Sequence, residues 1–235
     1  MTRDRGDLDL NLRSGPQLRE YRAIYRRIIG DRPRNILDWG CGHGHAAHAL
    51  QEAGLEVTAL EYSPTLEEGA RLRLPYFPDV EALHTRDPVR LPFPDRSFDA
   101  ALSLGVLEHV PDPERSLDEI RRVLRPGGRF YLYKLPNRFS YLEKIAKVAG
   151  LSYHGERPDD TLWTVSTMRA ALERHSFAIE MARRSNMLPL TLPGRVAARL
   201  APLIWTLNVA LARLPVLNLV ATNVEAVARL RSAAG

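Results

Sequence analysis

Gly40, Gly42 and Gly44 stand at alternate positions behind the apolar pair Ile36-Leu37 and the acid Asp38. Glycine takes positive φ without strain and lets a ligand come close to the main chain. The Ala-rich segment that follows has helical character, so its first N–H groups suit an anionic group such as a carboxylate. Glu61, 23 residues beyond Asp38, closes a second apolar run. An acid there can accept two hydrogen bonds from ribose hydroxyls; a solvated glutamate at a strand end is the competing reading. A strand, glycine turn and helix of this kind is the first unit of a nucleotide-binding α/β sheet, with the ligand at the strand's carboxyl end.

The elements that must position them follow from periodicity. Asn35 to Asp38 is a strand, His45 to Ala53 its helix with Gly54 as the stop, and Glu56 to Glu61 the second strand. Pro64 starts a further helix, Val80 to His84 is a third strand and Ser97 to Ser103 a fourth. Pro113 to Leu124 is a helix and Gly128 to Leu135 the fifth strand. Ahead of the sheet, Pro16 to Gly30 is a helix with Leu18, Tyr21, Ile24, Tyr25, Ile28 and Ile29 on one face, and residues 1–15 read as loose. Thr167 to His175 is a helix, Phe177 to Arg183 a strand, and Leu217 to Leu230 contains a last strand. This alternation predicts a parallel sheet with right-handed crossovers. The 235 residues read as one domain, with a ligand-binding core at 16–135 and insertions at 136–163 and 186–216.

The loop spacing selects among nucleotide-binding sheets. A dinucleotide site expects G-x-G-x-x-G, whereas this loop is Gly-x-Gly-x-Gly behind Asp38. It resembles the first motif of class I S-adenosylmethionine-dependent methyltransferases. The likeness continues through Asp87-Pro-Val-Arg-Leu-Pro-Phe-Pro-Asp-Arg-Ser-Phe-Asp-Ala-Ala-Leu-Ser, then Val106-Leu-Glu-His-Val, then Arg122-Val-Leu-Arg-Pro-Gly-Gly. In order and spacing, about Asn35 to Lys134 resembles the branch that includes the ubiquinone and menaquinone biosynthesis methylases and many small-molecule methylases. The resemblance implies an α/β, Rossmann-like, doubly wound seven-stranded sheet with helices on both faces and an antiparallel last strand. It implies S-adenosyl-L-methionine as cofactor and S-adenosyl-L-homocysteine as product. The cofactor-binding positions would be Asp38, Gly40, Cys41, Gly42, Gly44, Glu61, Tyr62, Asp87, Pro88, Ser103 and Leu104. Asp87 would receive the adenine amino group, and the Arg-Pro-Gly-Gly glycines would form a turn before the fifth strand.

Methyl transfer needs in-line alignment and exclusion of water more than acid–base groups. A hydroxyl acceptor still gains from a base. His109 is the catalytic candidate, because it follows the fourth strand, whose end should face the methyl group; its competing role is to fix the loop with Glu108. A metal-assisted variant of the quinone branch has a further glutamate three residues before the Glu-His pair, where this chain has Gly105, so no metal is expected. His43 either contacts the cofactor or fills the turn, and His154 either reaches the acceptor or is an exposed loop residue. His48 and His175 read as surface residues, and Tyr21 and Tyr25 either cap the cofactor or belong to the core.

The net charge is +5, of which Asn186 to Gly235 carries +4 from five arginines and Glu225. A basic excess confined to an apolar region fits an anionic membrane surface better than nucleic acid. Leu200 to Ala221 is nearly all apolar, but Pro202 and Pro215 confine it to a helix of about a dozen residues, too short to span. Such a helix is buried in protein, as a lid or dimer contact, or lies in a membrane interface. Cys41 is the only cysteine, which fits a reducing cytoplasm and a small buried filler. The charged start, Met1 to Asp9, does not read as a signal peptide. The expectation is a cytoplasmic methyltransferase acting on a small-molecule or lipid-like acceptor, at oxygen. It has no nucleic-acid partner, and leaves open a peripheral contact with the inner membrane face through 187–215 and an oligomer. The rivals are a nucleotide-dependent oxidoreductase and a non-catalytic cofactor-binding scaffold.

Overall fold

Eight strands join in one sheet, in the order β3-β4-β2-β1-β5-β6-β8-β7, in the computed structural model, which describes residues 14–148, 150, 160–192 and 194–232. β1 (Asn35–Trp39), β2 (Glu56–Tyr62), β4 (Glu81–Thr85), β5 (Phe98–Leu104) and β6 (Leu124–Pro136) run parallel. β8 (Asn223–Leu230) is antiparallel between β6 and β7 (Phe177–Ser185), as expected for the last strand. The strand count exceeds the expected seven because β3 (Arg71–Arg73) adds antiparallel to the edge at β4.

The sheet is covered on both faces, which is why its central strands read as near-continuous apolar runs. Side chains alternate across a strand. Ile36 therefore packs with Tyr21, Ile24 and Ile28 of α1 (Gly15–Asp31) and Leu50 of α2 (His45–Glu52). Leu37 and Trp39 face the other way, toward Leu117 and Ile120 of α3 (Pro113–Val123) and Met168 and Leu172 of α5 (Val165–Arg174). Local signals set the helix starts: Asp112 accepts from Arg115 N at 3.0 Å with Pro113 in the first turn, and Thr164 opens α5 with a capping box. The insertion helix expected from Tyr141 is α4 (Tyr141–Val148).

Four local expectations are corrected. No helix follows Pro64: Gly69 N donates to His84 O and His84 N to Ala70 O, and these bonds hand the segment to the sheet edge as β3. The Arg-Pro-Gly-Gly turn lies inside β6, as an irregularity in which Phe98 pairs with Leu124 and Ala100 with Arg129. Gly128 is required there, since a Cβ would fall 2.8 Å from Arg125 O and 3.0 Å from Asp99 O. His175 is buried rather than a surface residue; it caps α5 between Glu114 (2.9 Å) and Asp118 (3.0 Å).

The last correction concerns α6 (Arg195–Leu211), which runs through Pro202 instead of starting after it. A proline in a helix interior costs about 3 kcal/mol. Close packing offsets this: a Cβ at Gly15 would fall 3.0 Å from both Ala198 Cα and Ala201 Cβ, so α1 and α6 touch almost backbone to backbone. Further along, Asn208 ties α6 to the segment after β7, accepting from Met187 N (2.7 Å) and Leu188 N (3.0 Å) and donating to Asn186 Oδ1 (3.2 Å).

Candidate functional site

Strand register gathers the predicted residues at one edge. Asp38 pairs with Ala59 and Leu102, Trp39 with Leu60 and Ser103, Glu61 with His84, and Tyr62 with Thr85. Asp38, Glu61, Tyr62, Ser103 and Leu104 therefore end in one row at the carboxyl side, where an open α/β sheet binds its ligand. Asp87 and Pro88 follow two and three residues after β4 in the adjoining loop.

The glycine loop closes over the end of β2. Gly40 N and Cys41 N both donate to Leu60 O, at 2.8 and 2.9 Å, and Gly42 N donates to Glu61 Oε2 at 2.6 Å. Gly40, Gly42 and Gly44 have φ of 71°, 55° and 84°. Space forbids a side chain at two of them: a Cβ at Gly40 would fall 2.5 Å from Val106 Cγ2, and one at Gly44 2.4 Å from Leu74 Cδ1. The Cys41 side chain is buried with Ala47, Ala59 and Val80. Burial, with Asp38 and Glu61 nearby, pushes its thiol up, so it is a filler rather than a nucleophile.

Asp38 is the electrostatic centre of this edge. Burial, then the Glu61 carboxylate, raise its pKa from 3.8 to about 7 against the opposing Ala47 N–H. Its Oδ2 is buried and has no hydrogen-bond partner among the described residues, as is true of Ser103 Oγ and His45 Nε2. Burial, then the charges of Lys134 and His43, lower His45 to about 4, so its ring is neutral at physiological pH. That ring sits 4.5 Å from the Tyr21 ring, and Tyr21 and Tyr25 stack at 6.3 Å within the core.

Asp87 is fixed by its own loop, its Oδ1 accepting from Val89 N and Arg90 N at 2.9 Å each. The Arg90 bond, then the Val89 bond, hold the carboxyl below its usual range. It borders a cleft of about 680 Å³ that Thr85, Leu91 and Phe93 also line. His109 lies just past β5, half-buried. Its Nδ1 is 2.8 Å from Oδ1 of Asp160, whose side chain is 4% exposed, its Nε2 is 3.8 Å from Glu108 Oε1, and its backbone N–H donates to Val106 O. His43 stands edge-on to Tyr76 at 5.6 Å. His48 bonds Asp79 at 2.5 Å, and His154 lies outside the described residues.

Sequence reasoning missed a chain of buried polar groups behind the site. A bulge in β6 against β8 gives Lys134 a φ of 64° and turns it inward, 3.2 Å from Glu20 and 4.7 Å over the Tyr21 ring. Burial pulls Lys134 down, but Glu20 and Tyr21 more than offset it and the net direction is up. Glu20 also accepts from Asn186 Nδ2 at 2.6 Å and from Gln17. The one signal was a lysine within the apolar run Phe130-Tyr-Leu-Tyr-Lys-Leu135.

These features suit S-adenosylmethionine. A buried carboxylate oxygen left unpaired among the described residues answers a cationic group, Glu61 and Asp87 offer acceptors at two strand ends, and the glycines let the loop pack tightly against Val106 and Leu74. A family model described as a methyltransferase domain matches residues 37–132. Demethylmenaquinone methyltransferase of Renibacterium salmoninarum is 34% identical over 182 residues, 73% of this chain and 75% of that protein. The enzyme of the same name from Clavibacter sepedonicus is 40% identical over 105 residues, 45% of this chain and 41% of that one. For three of the curated relatives the chain spans only 34–46% of their length. Among solved structures, Burkholderia thailandensis 1,6-didemethyltoxoflavin-N1-methyltransferase, with bound 1,6-didemethyltoxoflavin and S-adenosylhomocysteine, superposes with a TM-score of 0.56. It is 20% identical and is matched over 97% of this chain and 83% of its own, a likeness of fold.

Proposed function

We propose that this chain, which belongs to the class I S-adenosylmethionine-dependent methyltransferases, methylates a small-molecule or lipid-like acceptor at oxygen. The observation that carries the reading is the glycine loop closed on Glu61 beside the buried, unpaired Oδ2 of Asp38. When bound, the cofactor supplies an electrophilic methyl group on a sulfonium. Asp38 would answer the positive charge of the methionine end, Glu61 the ribose hydroxyls and Asp87 the adenine amino group, with the backbone of Ser103 and Leu104 lining the site. Gly40, Cys41, Gly42 and Gly44 form the wall that closes over it, flanked by Tyr62 and Pro88.

Oxygen is favoured by the His109–Asp160 pair. With Nδ1 donating to Asp160, the imidazole is held in the tautomer whose Nε2 is basic. That nitrogen can take a hydroxyl proton as the acceptor oxygen attacks. The apolar residues of 187–215 supply a surface for an amphiphilic acceptor, and the single, buried cysteine suits a reducing cytoplasm. Incubation with methyl-labelled cofactor and a panel of phenols, quinols and lipids tests the reading. Label in an ether product confirms it; cofactor binding without transfer to any member favours a scaffold.

A further inference from the structure

The helix α6 turns its apolar residues outward. Val196, Leu200, Leu203 and Leu207 recur at steps of four, three and four residues and so form one stripe. All four are exposed, Val196 to 70% and Leu203 to 55%. The side toward α1 carries the small or polar residues Ala198, Ala201 and Asn208 instead. The apolar surface continues past the helix through Leu214, Val216, Leu217 and Leu219, with Val216 exposed to 82%.

Charge says what covers it. Residues 186–224 hold Arg195, Arg199 and Arg213, all exposed, and no aspartate or glutamate. Arg183 and Arg229, outside this stretch, pair with Glu225 and Glu180. A second copy meeting this surface in a two-fold dimer would bring like charges together without an acid, since such an interface is self-complementary. Nor does the surface mark a span, because no helix among the described residues is long and apolar enough to cross a membrane. An exposed leucine stripe beside arginines that meet no carboxylate among the described residues fits an interfacial helix.

We infer that residues 195–219 dock the protein on an anionic bilayer surface, leucines at the acyl boundary and arginines at the headgroups. The inference deepens the lipid-like reading of the acceptor and rests on it for its purpose. The bonds from Asn208 through Asn186 and Glu20 to Lys134 join the docked helix to the ligand edge of the sheet.

The test is co-sedimentation of the full chain with phosphatidylcholine vesicles holding a rising fraction of phosphatidylglycerol, at low and high salt. Binding should rise with the anionic fraction and fall with salt. Leu203→Ser/Leu207→Ser should lower partition about tenfold or more. Arg199→Ser and Arg213→Ser should each lower it about fivefold. Melting temperature should be unchanged in each variant. If the leucine variant unfolds, the arginine variants decide alone. Absence of partition at every composition overturns the inference, as does partition indifferent to these variants, or a dimer that Leu207→Asp dissociates. Cofactor affinity by calorimetry on the same protein reads the methyl-transfer proposal separately: intact affinity without partition overturns docking alone.

Discussion

Replacing Asp38 with asparagine should stabilise the protein without its cofactor while weakening cofactor binding. Burial and the Glu61 carboxylate raise the pKa of Asp38 from 3.8 to about 7, so folding disfavours its charged form. Below pH 3.8 the group is neutral in both states and stability is unaffected. As pH rises, the unfolded chain ionises first and folded stability is lost, until the folded group also ionises near 7. At 1.36 kcal/mol per pH unit the loss is about 2 kcal/mol at pH 5 and about 4 kcal/mol at pH 8. The asparagine side chain cannot ionise, so the stability difference between Asp38→Asn and the parent should grow by about 2–3 kcal/mol over that interval. Urea unfolding of both proteins without cofactor measures it directly. Calorimetry on the variant should show cofactor affinity about tenfold or more weaker, because a charge-assisted acceptor is gone. Parallel pH profiles would refute the electrostatic argument, whatever happened to affinity.

Glu61→Ala should weaken cofactor binding by about 1.5–3 kcal/mol; unchanged affinity, or tighter binding of NAD, would sink the ribose assignment. His109→Ala should lower turnover about 10²–10⁴-fold with cofactor affinity intact. Asp160→Asn should then cost little more in the His109→Ala background, whereas loss of cofactor binding in His109→Ala would show that the histidine only props the loop. Gly40→Ala should destabilise the fold by about 2–4 kcal/mol, from a positive φ and overlap with Val106. Val106→Ala should recover part of that in urea unfolding, and no recovery would mean that the overlap is not the cause.

The parts of the site that were legible are those where one residue type answers one local demand. Gly40, Gly42 and Gly44 record positive φ, and Asp38 and Glu61 mark strand ends before any tertiary contact exists. The parts that were not depend on distant pairings. Glu20 meets Asn186 across 166 positions, and His109 meets Asp160 across 51. Neither pair leaves a periodic trace. Local rules failed where packing outweighed them: Pro202 reads as a helix boundary, yet the approach of α1 at Gly15 keeps α6 continuous. Pro64 reads as a helix start, yet the strand edge beside it claims the backbone for β3.

Asn208 has a consequence for the helix that carries it. A helix with apolar residues around most of its girth has no strong preference for which way it faces, because rolling merely exchanges one greasy side for another. Asn208 works as a locating pin. Its amide engages two backbone N–H groups and the Asn186 side chain, and a roll of about 100°, one residue's worth, would disengage all three. Orientation is thus set by these hydrogen bonds together with the close fit of Ala198 and Ala201 on Gly15, and not by hydrophobicity. Asn208→Leu would make the helix more apolar while freeing it to roll its leucines inward, giving a greasier sequence with a less adhesive surface.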